Sequence, residues 1–210
     1  MTGFQDMPLS TFGEALASSA ATPGGGCASA LAGALAASLA AMVARTTAAS
    51  EKFAERAGEM NRVVDEADGL RSELLGLVDA DAAAFGQVMA AFRLPKETPQ
   101  EQAARSEAIQ AGYKAAVEPP MHVCTQAVRV LELALQVAER GNPNAVSDAG
   151  VAALLAAAAL EGAALNVEIN LGSIKDEAFR TSRADGVRAA QAEGRALRDK
   201  VLAAVRSRLG

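Results

Sequence analysis

At 210 residues the chain is long enough for one sizeable domain and marginal for two. Half of it is apolar, yet only 3% is aromatic and alanine supplies most of the apolar count, so helix formers dominate and a sheet-based architecture is excluded. A net charge of −5 with no basic stripe argues against nucleic acid as a partner.

From the N-terminus, the first signal is Thr11 with Glu14 three residues on, the spacing of a capping box before a short amphipathic helix. No basic and then apolar leader is legible ahead of it. Pro23-Gly24-Gly25-Gly26 breaks the chain and opens a long helix expected to reach about Arg45. Consecutive amides in such a run form a nest for a carboxylate or phosphate, although a plain turn uses the same residues. No Lys-Ser or Lys-Thr pair follows, so the run is not a nucleotide phosphate loop. From Cys27 to Ala44 the helix carries no charge over the length of a membrane span. Its alanines, Gly33 and Ser38 suit close helix packing, and we read it as a buried core helix rather than a membrane segment.

A charged stretch, Glu51 to Arg62, leads into a helix expected to end near Phe92. Leu94-Pro95-Lys96 is a loop, after which Thr98, Pro99 and Glu101 supply a cap, a first-turn proline and a capping partner. Pro119-Pro120 is expected to break that helix and start another, which stops at Gly141-Asn142-Pro143. Ser147 or Asp148 is expected to cap a second wholly apolar helix reaching about Asn170, and a charged helix follows from about Asp176. The expectation is a single all-α domain over 1–210, a helical bundle of six or seven helices with two buried Ala-rich members. A helix apolar all round must be surrounded, so these two are central or sit at a subunit interface.

The chemically informative residues are polar ones placed where the pattern demands apolar ones. On LLGLVDADAAAFGQVMAAF, Leu74, Val78, Phe85, Val88 and Phe92 form one stripe. Asp81 lies roughly 20° from Leu74 and Asp79 roughly 140° away, at about 100° per residue. Asp81 is therefore expected to face inward and Asp79 outward. A buried carboxylate has a raised pKa and suits general acid or base work; a structural carboxylate held by an Arg or by helix-terminal amides fits the same pattern. On the second apolar helix Asp148, Ala152, Leu155, Ala159, Gly162, Asn166 and Asn170 share a face. The small residues leave room for a ligand, while asparagines also serve to bond neighbouring helices. Asp148 and Asn166 stand about 27 Å apart along one helix, so they meet one ligand only if it is elongated or if two subunits contribute. His122, the one histidine, has no partner at metal-ligand spacing, and no nucleophilic triad is evident. Cys27 and Cys124 read as reduced core thiols of a cytoplasmic protein.

TPGGG ahead of the Ala-rich helix, DADAAAF, LPKETPQEQAAR, GNPNAVSDAGVAALL and ALNVEIN occur in this order over nearly the whole chain. Together they resemble the cyclodeaminase part of the formiminotransferase-cyclodeaminase family, and most of all its stand-alone bacterial methenyltetrahydrofolate cyclohydrolases. The resemblance implies an all-α homodimer with active sites near the subunit interface, a pterin-bearing folate substrate, and neither a metal nor a separate cofactor. It implies catalytic roles for Asp81 and Asp148. It also implies substrate contacts from Pro23, Gly24, Gly25 and Gly26, from Lys52, from Asn142, Asn144 and Ser147, and from Asn166 and Asn170. One segment departs from the family pattern. Where many members carry an Asn and then a glycine with basic residues, this chain has Arg45 and then Ala49-Ser50-Glu51, and retains only Lys52. That segment is expected to attract the substrate's glutamate tail weakly. Hydrolysis of 5,10-methenyltetrahydrofolate to 10-formyltetrahydrofolate is the expected activity, with formiminotetrahydrofolate cyclodeaminase as the alternative. A non-catalytic helical dimer or folate-binding protein is the reading of another class.

Overall fold

Six α-helices and three short 3₁₀ turns make up the bundle in the computed structural model, which describes residues 3–209. The helices are α1 (Leu9–Leu16), α2 (Gly25–Ala48), α3 (Ala57–Phe92), α4 (Pro99–Arg140), α5 (Val146–Leu171) and α6 (Glu177–Leu209). The 3₁₀ turns are Phe4–Asp6, Glu51–Arg56 and Pro143–Ala145. Among the described residues there is no strand.

The two Ala-rich helices lie at the centre. α2 packs on α3, α5 and α4, and α5 packs on α4, α2 and α6. They run antiparallel: Gly25 lies beside Asn166, Gly33 beside Ala159, and the Asn142 N–H donates to Thr47 Oγ1 at 2.8 Å. Small side chains set this spacing, because the distance between two helices follows from what stands in their contact. A Cβ on Gly162 would sit 2.5 Å from Ser29 Oγ, so glycine there lets that hydroxyl keep its bond to the Gly25 carbonyl. Larger residues on the outer helices close the core, including Met60 and Leu74 of α3, Leu131 and Leu133 of α4, and Val201 of α6.

Three helix boundaries differ from expectation. Helix α1 starts at Leu9, directly after an extended Pro8, so Thr11 lies inside it and makes no cap with Glu14. At α5, Ser147 and Asp148 fall in the first helical turn instead of at its cap, because the 3₁₀ turn Pro143–Ala145 leads the chain into the helix; Asn142 Oδ1 caps that turn by accepting from the Asn144 N–H. Pro119-Pro120 does not end a helix, and α4 runs unbroken for 42 residues. A proline removes the bond to the carbonyl four residues back and normally kinks or breaks the helix. Here the Ala116 carbonyl, deprived of the missing donor of Pro120, accepts instead from Asn170 Nδ2 at 3.0 Å, and both prolines are buried against neighbouring helices. The Thr98–Glu101 capping box forms as expected, with Glu101 N–H on Thr98 Oγ1 and Thr98 N–H on Glu101 Oε2.

By length and composition Gly25–Ala48, Glu51–Phe92 and Pro143–Leu171 would each suffice to cross a membrane. In the bundle, α2 buries more than half of that stretch against α3, α5 and α4, and α5 about half of its own against α4, α2 and α6.

Candidate active site

Helices α2 and α3 run antiparallel, with Gly33 against Leu74 and Gly26 against Asp81. Helix α3 has 36 residues and α2 only 24, so α2 begins level with Asp81 and the last turns of α3 continue past it. The apolar stripe of α3 therefore has no α2 to pack on beyond that level. A cleft of about 360 Å³ opens there, bounded by the first turn of α2, the end of α3, Tyr113 and Ala116 of α4, and the last turns of α5.

That length mismatch sorts the residues of the stripe. Leu74, Val78 and Val88 are buried, whereas Phe85 and Phe92 stand 38% and 41% exposed and form the cleft walls, not the core. Phe92 meets Tyr113 edge to face, with ring centroids 6.2 Å apart and planes at 84°. Flat apolar walls of this kind suit a planar ring system.

Asp81 stands at the inner end of the cleft, against the first turn of α2. A Cβ on Gly26 would lie 2.5 Å from the Asp81 Cγ, so Gly26 serves as clearance for the carboxylate. Cys27 Sγ is within reach of both the Val78 carbonyl, at 3.3 Å, and Asp81 Oδ2, at 3.4 Å. Burial raises the Asp81 pKa above its ordinary value; the Cys27 thiol and backbone amide pull it down and are the smaller effects. Burial also pushes the Cys27 thiol up to about 11, so it stays a protonated donor at neutral pH. The interactions that tune Asp81 come from Cys27, with no contribution from an Arg or Lys among the described residues, so this is not a carboxylate held in an ion pair.

Asp79 does point to the opposite flank, as its helical phase requires, but that flank is only partly open to water. The N-terminal turn covers it, and the Phe4 N–H donates to Asp79 Oδ1 at 2.6 Å.

Two asparagines of α5 complete the polar side of the cleft. Asn166 Nδ2 donates to the Gly162 carbonyl at 2.8 Å, and Asn170 Nδ2 to the Ala116 carbonyl at 3.0 Å. Each amide is thereby fixed through its nitrogen, which leaves its oxygen to accept from a ligand. Gly24 and Gly25 line the cleft beside them, between the buried Pro23 and Gly26.

The remaining sequence candidates lie at the other end of the bundle. Asn142, Asn144, Ser147 and Asp148 surround the start of α5, and Lys52 follows the end of α2. None of them lines the cleft, so one chain does not bring Asp148 to Asp81. His122 is exposed on α4, and Cys124 is buried with its thiol pushed up to about 12 by desolvation. No group of three or more His, Cys, Asp or Glu side chains gathers at metal-binding spacing among the described residues. Sequence reasoning missed the cleft roles of Phe85, Phe92, Tyr113 and Cys27. Helical phase alone does not distinguish a core wall from a cleft wall; the unequal lengths of the two helices were the available signal.

The profile of the family described as formiminotransferase-cyclodeaminase matches residues 8–189. The chain is 42% identical over 201 residues to a methenyltetrahydrofolate cyclohydrolase of Methylorubrum extorquens, covering 96% of this chain and 97% of that one. It is 37% identical to the formimidoyltransferase-cyclodeaminase of Gallus gallus over 85% of this chain, but spans only 33% of that longer protein. The crystal structure of a formiminotetrahydrofolate cyclodeaminase from Thermotoga maritima superposes with a TM-score of 0.88 at 29% identity, over 98% of this chain and 99% of that one. With its sequence matched from α1 into α6 and its bundle reproduced end to end, the chain belongs to the formiminotransferase-cyclodeaminase family.

Proposed function

We propose that the protein hydrolyses 5,10-methenyltetrahydrofolate to 10-formyltetrahydrofolate. The observation that carries this reading is Asp81, a desolvated carboxylate without a cationic partner, set at the end of an aromatic-walled cleft. The methenyl bridge is a cationic amidinium, and a carboxylate in a dry site attracts it and accepts a proton from the water that adds to its carbon. The same carboxyl gives that proton to N5 as the carbon–N5 bond breaks, the hydroxyl on the former methenyl carbon releases its remaining proton to water, and the formyl group so formed remains on N10. Phe85, Phe92 and Tyr113 flank the pterin and aminobenzoyl rings, and the free oxygens of Asn166 and Asn170 accept pterin N–H donors. The full-length similarity to a cyclohydrolase supports this reaction over its alternative. The likeness to the Thermotoga cyclodeaminase favours the second reading, in which Asp81 protonates the departing nitrogen of a formimino substrate as the ring closes. The substrate carries its own reactive carbon, so the reading includes no metal and no separate cofactor, and no nucleic acid or membrane partner, and it places the protein in the cytoplasm.

The reading includes a homodimer. Along α5, Ser147, Val151, Leu154, Leu165 and Ile169 form one exposed stripe that ends at the cleft, and Leu165 and Ile169 are 66% and 74% exposed. A second copy packed antiparallel on that stripe carries its Asp148 end toward the Ile169 end of the first. This is how Asp148, Asn142, Asn144 and Lys52 of one protomer reach the cleft of its partner. Loss of methenyltetrahydrofolate absorbance, corrected for spontaneous hydrolysis, is the expected activity. Ammonia release from the formimino substrate without that loss would replace the first reading by the second, and neither signal would leave a non-catalytic folate binder.

A further inference from the structure

The Cys27 thiol has one proton and two acceptors within reach. Its Sγ stands 3.3 Å from the Val78 carbonyl and 3.4 Å from Asp81 Oδ2, both on α3. Cys27 is fully buried in the first turn of α2, where desolvation pushes the thiol up to about 11. The proton therefore stays on sulfur across the neutral range. Gly26 keeps the approach open, since a Cβ there would lie 2.5 Å from Asp81 Cγ. The Val78 carbonyl sits inside α3 and has a second lone pair beyond the one its own helix uses, so it accepts the thiol without depending on it.

The other groups that face Asp81 do not follow its charge. On α2, Gly24 supplies no side-chain cap, and the backbone amide of Cys27 acts on the carboxylate beside the thiol. On α4 the titratable residue lining the cleft is Tyr113, and α5 presents the uncharged Asn166 and Asn170. Asp79 of α3 points to the other flank, against Phe4. In the proposed dimer Asp148 of the partner bears on every Cys27 variant alike. A backbone amide is fixed in direction, whereas a thiol proton turns about one bond. Sulfur is also a weak donor, so it steadies the ionised carboxylate without cancelling the larger effect of burial.

Resting on the acid–base reading of Asp81, we propose that Cys27 is a positioning residue whose thiol follows the state of that carboxyl. While Asp81 is ionised, the S–H points at Oδ2 and holds the carboxylate's rotation, which leaves Oδ1 to take a proton from water. Once Oδ1 carries that proton, the S–H turns to the Val78 carbonyl. When the carboxyl gives its proton to N5, the S–H returns to Oδ2 and steadies the carboxylate that is left. The thiol keeps its own proton throughout, and only its acceptor changes.

The test follows the acid limb of kcat/KM for 5,10-methenyltetrahydrofolate, which reports the base of the free enzyme. Cys27→Ala is expected to raise the midpoint of that limb by about half a pH unit to one unit, the worth of one ordinary hydrogen bond. Below the midpoint kcat/KM then falls roughly three- to tenfold, and the plateau above it barely moves. Cys27→Ser returns a donor to the same carbon and is expected to bring the midpoint back to that of the parent or below it. A midpoint that stays put in Cys27→Ala, or that moves alike in both variants as a packing effect would, overturns the proposal. An infrared titration of the substrate-free protein gives an independent readout. The S–H stretching band of Cys27, assigned by its loss in Cys27→Ser or its persistence in Cys124→Ser, is expected to move to lower frequency as Asp81 ionises. In Asp81→Asn it is expected to stay fixed with pH. A band that ignores pH in the unaltered protein overturns the change of acceptor while the folate reading stands. No turnover together with a moving band overturns the folate reading and leaves the thiol on Asp81.

Discussion

Asp81 and Asp79 are two residues apart on one helix, and their surroundings give them different chemistry. Asp81 has the Cys27 thiol and a partly buried place at the inner end of the cleft; Asp79 has the backbone amide of Phe4. Asp81→Asn should fold and lose about a hundred- to ten-thousand-fold in turnover, the usual loss on removing a positioned acid or base. Asp79→Asn should change turnover by only a few fold and loosen the N-terminal turn. The pH dependence of stability follows from the raised pKa. In the unfolded chain Asp81 loses its proton near the ordinary value of 3.8, and in the folded chain it does so at higher pH. Its stabilising contribution is thus complete below the ordinary value and lost as pH rises through the folded value. Asp81→Asn should therefore melt above the parent at neutral pH, and the gap should close toward pH 4. A variant that melts lower at every pH, or that stays active, would make Asp81 a structural group.

At the scale of elements, α4 keeps its continuity because α5 supplies a donor that its own backbone lacks. Asn170 spends Nδ2 on the Ala116 carbonyl and offers its oxygen to the cleft, so one side chain serves both helix and site. Removing it leaves a carbonyl of a buried residue without a partner, which costs about 1–3 kcal/mol. Pro120→Ala restores a backbone N–H to that carbonyl. In a double-mutant cycle read by denaturant unfolding, Asn170→Ala should cost measurably less in the Pro120→Ala background than in the parent. Equal costs in the two backgrounds would show that packing alone carries α4 through its prolines.

For the whole molecule, the exposed stripe of α5 is the feature that one chain leaves unfinished. Light scattering should show a dimer at micromolar concentration. Leu165→Glu places a charge within the proposed contact, one turn from its cleft end, and it should shift the protein toward monomer and lower turnover in parallel, because the cleft would lose Asp148 of the partner. A monomeric parent with full activity would remove Asp148 from the catalytic set.

The sequence by itself determined the helical class, the two Ala-rich central members, the Thr98 cap and the inward phase of Asp81. All of these follow from local propensity and from a periodicity that holds whatever packs outside it. It also showed, through the 27 Å between Asp148 and Asn166 along one helix, that the polar candidates form two groups (about 1.5 Å per residue). Only the tertiary structure decided where the stripe of α3 stops being core. That depends on α2 starting level with Asp81, so that Phe85 and Phe92 continue in phase with Leu74 but meet open space. The fate of Pro119-Pro120 was likewise not local, since the donor that replaces a missing N–H stands 54 residues away in sequence. Asp79 was placed correctly by phase and covered by a segment that periodicity does not see. Helical phase reports direction around one axis, and burial depends on which other axis lies there.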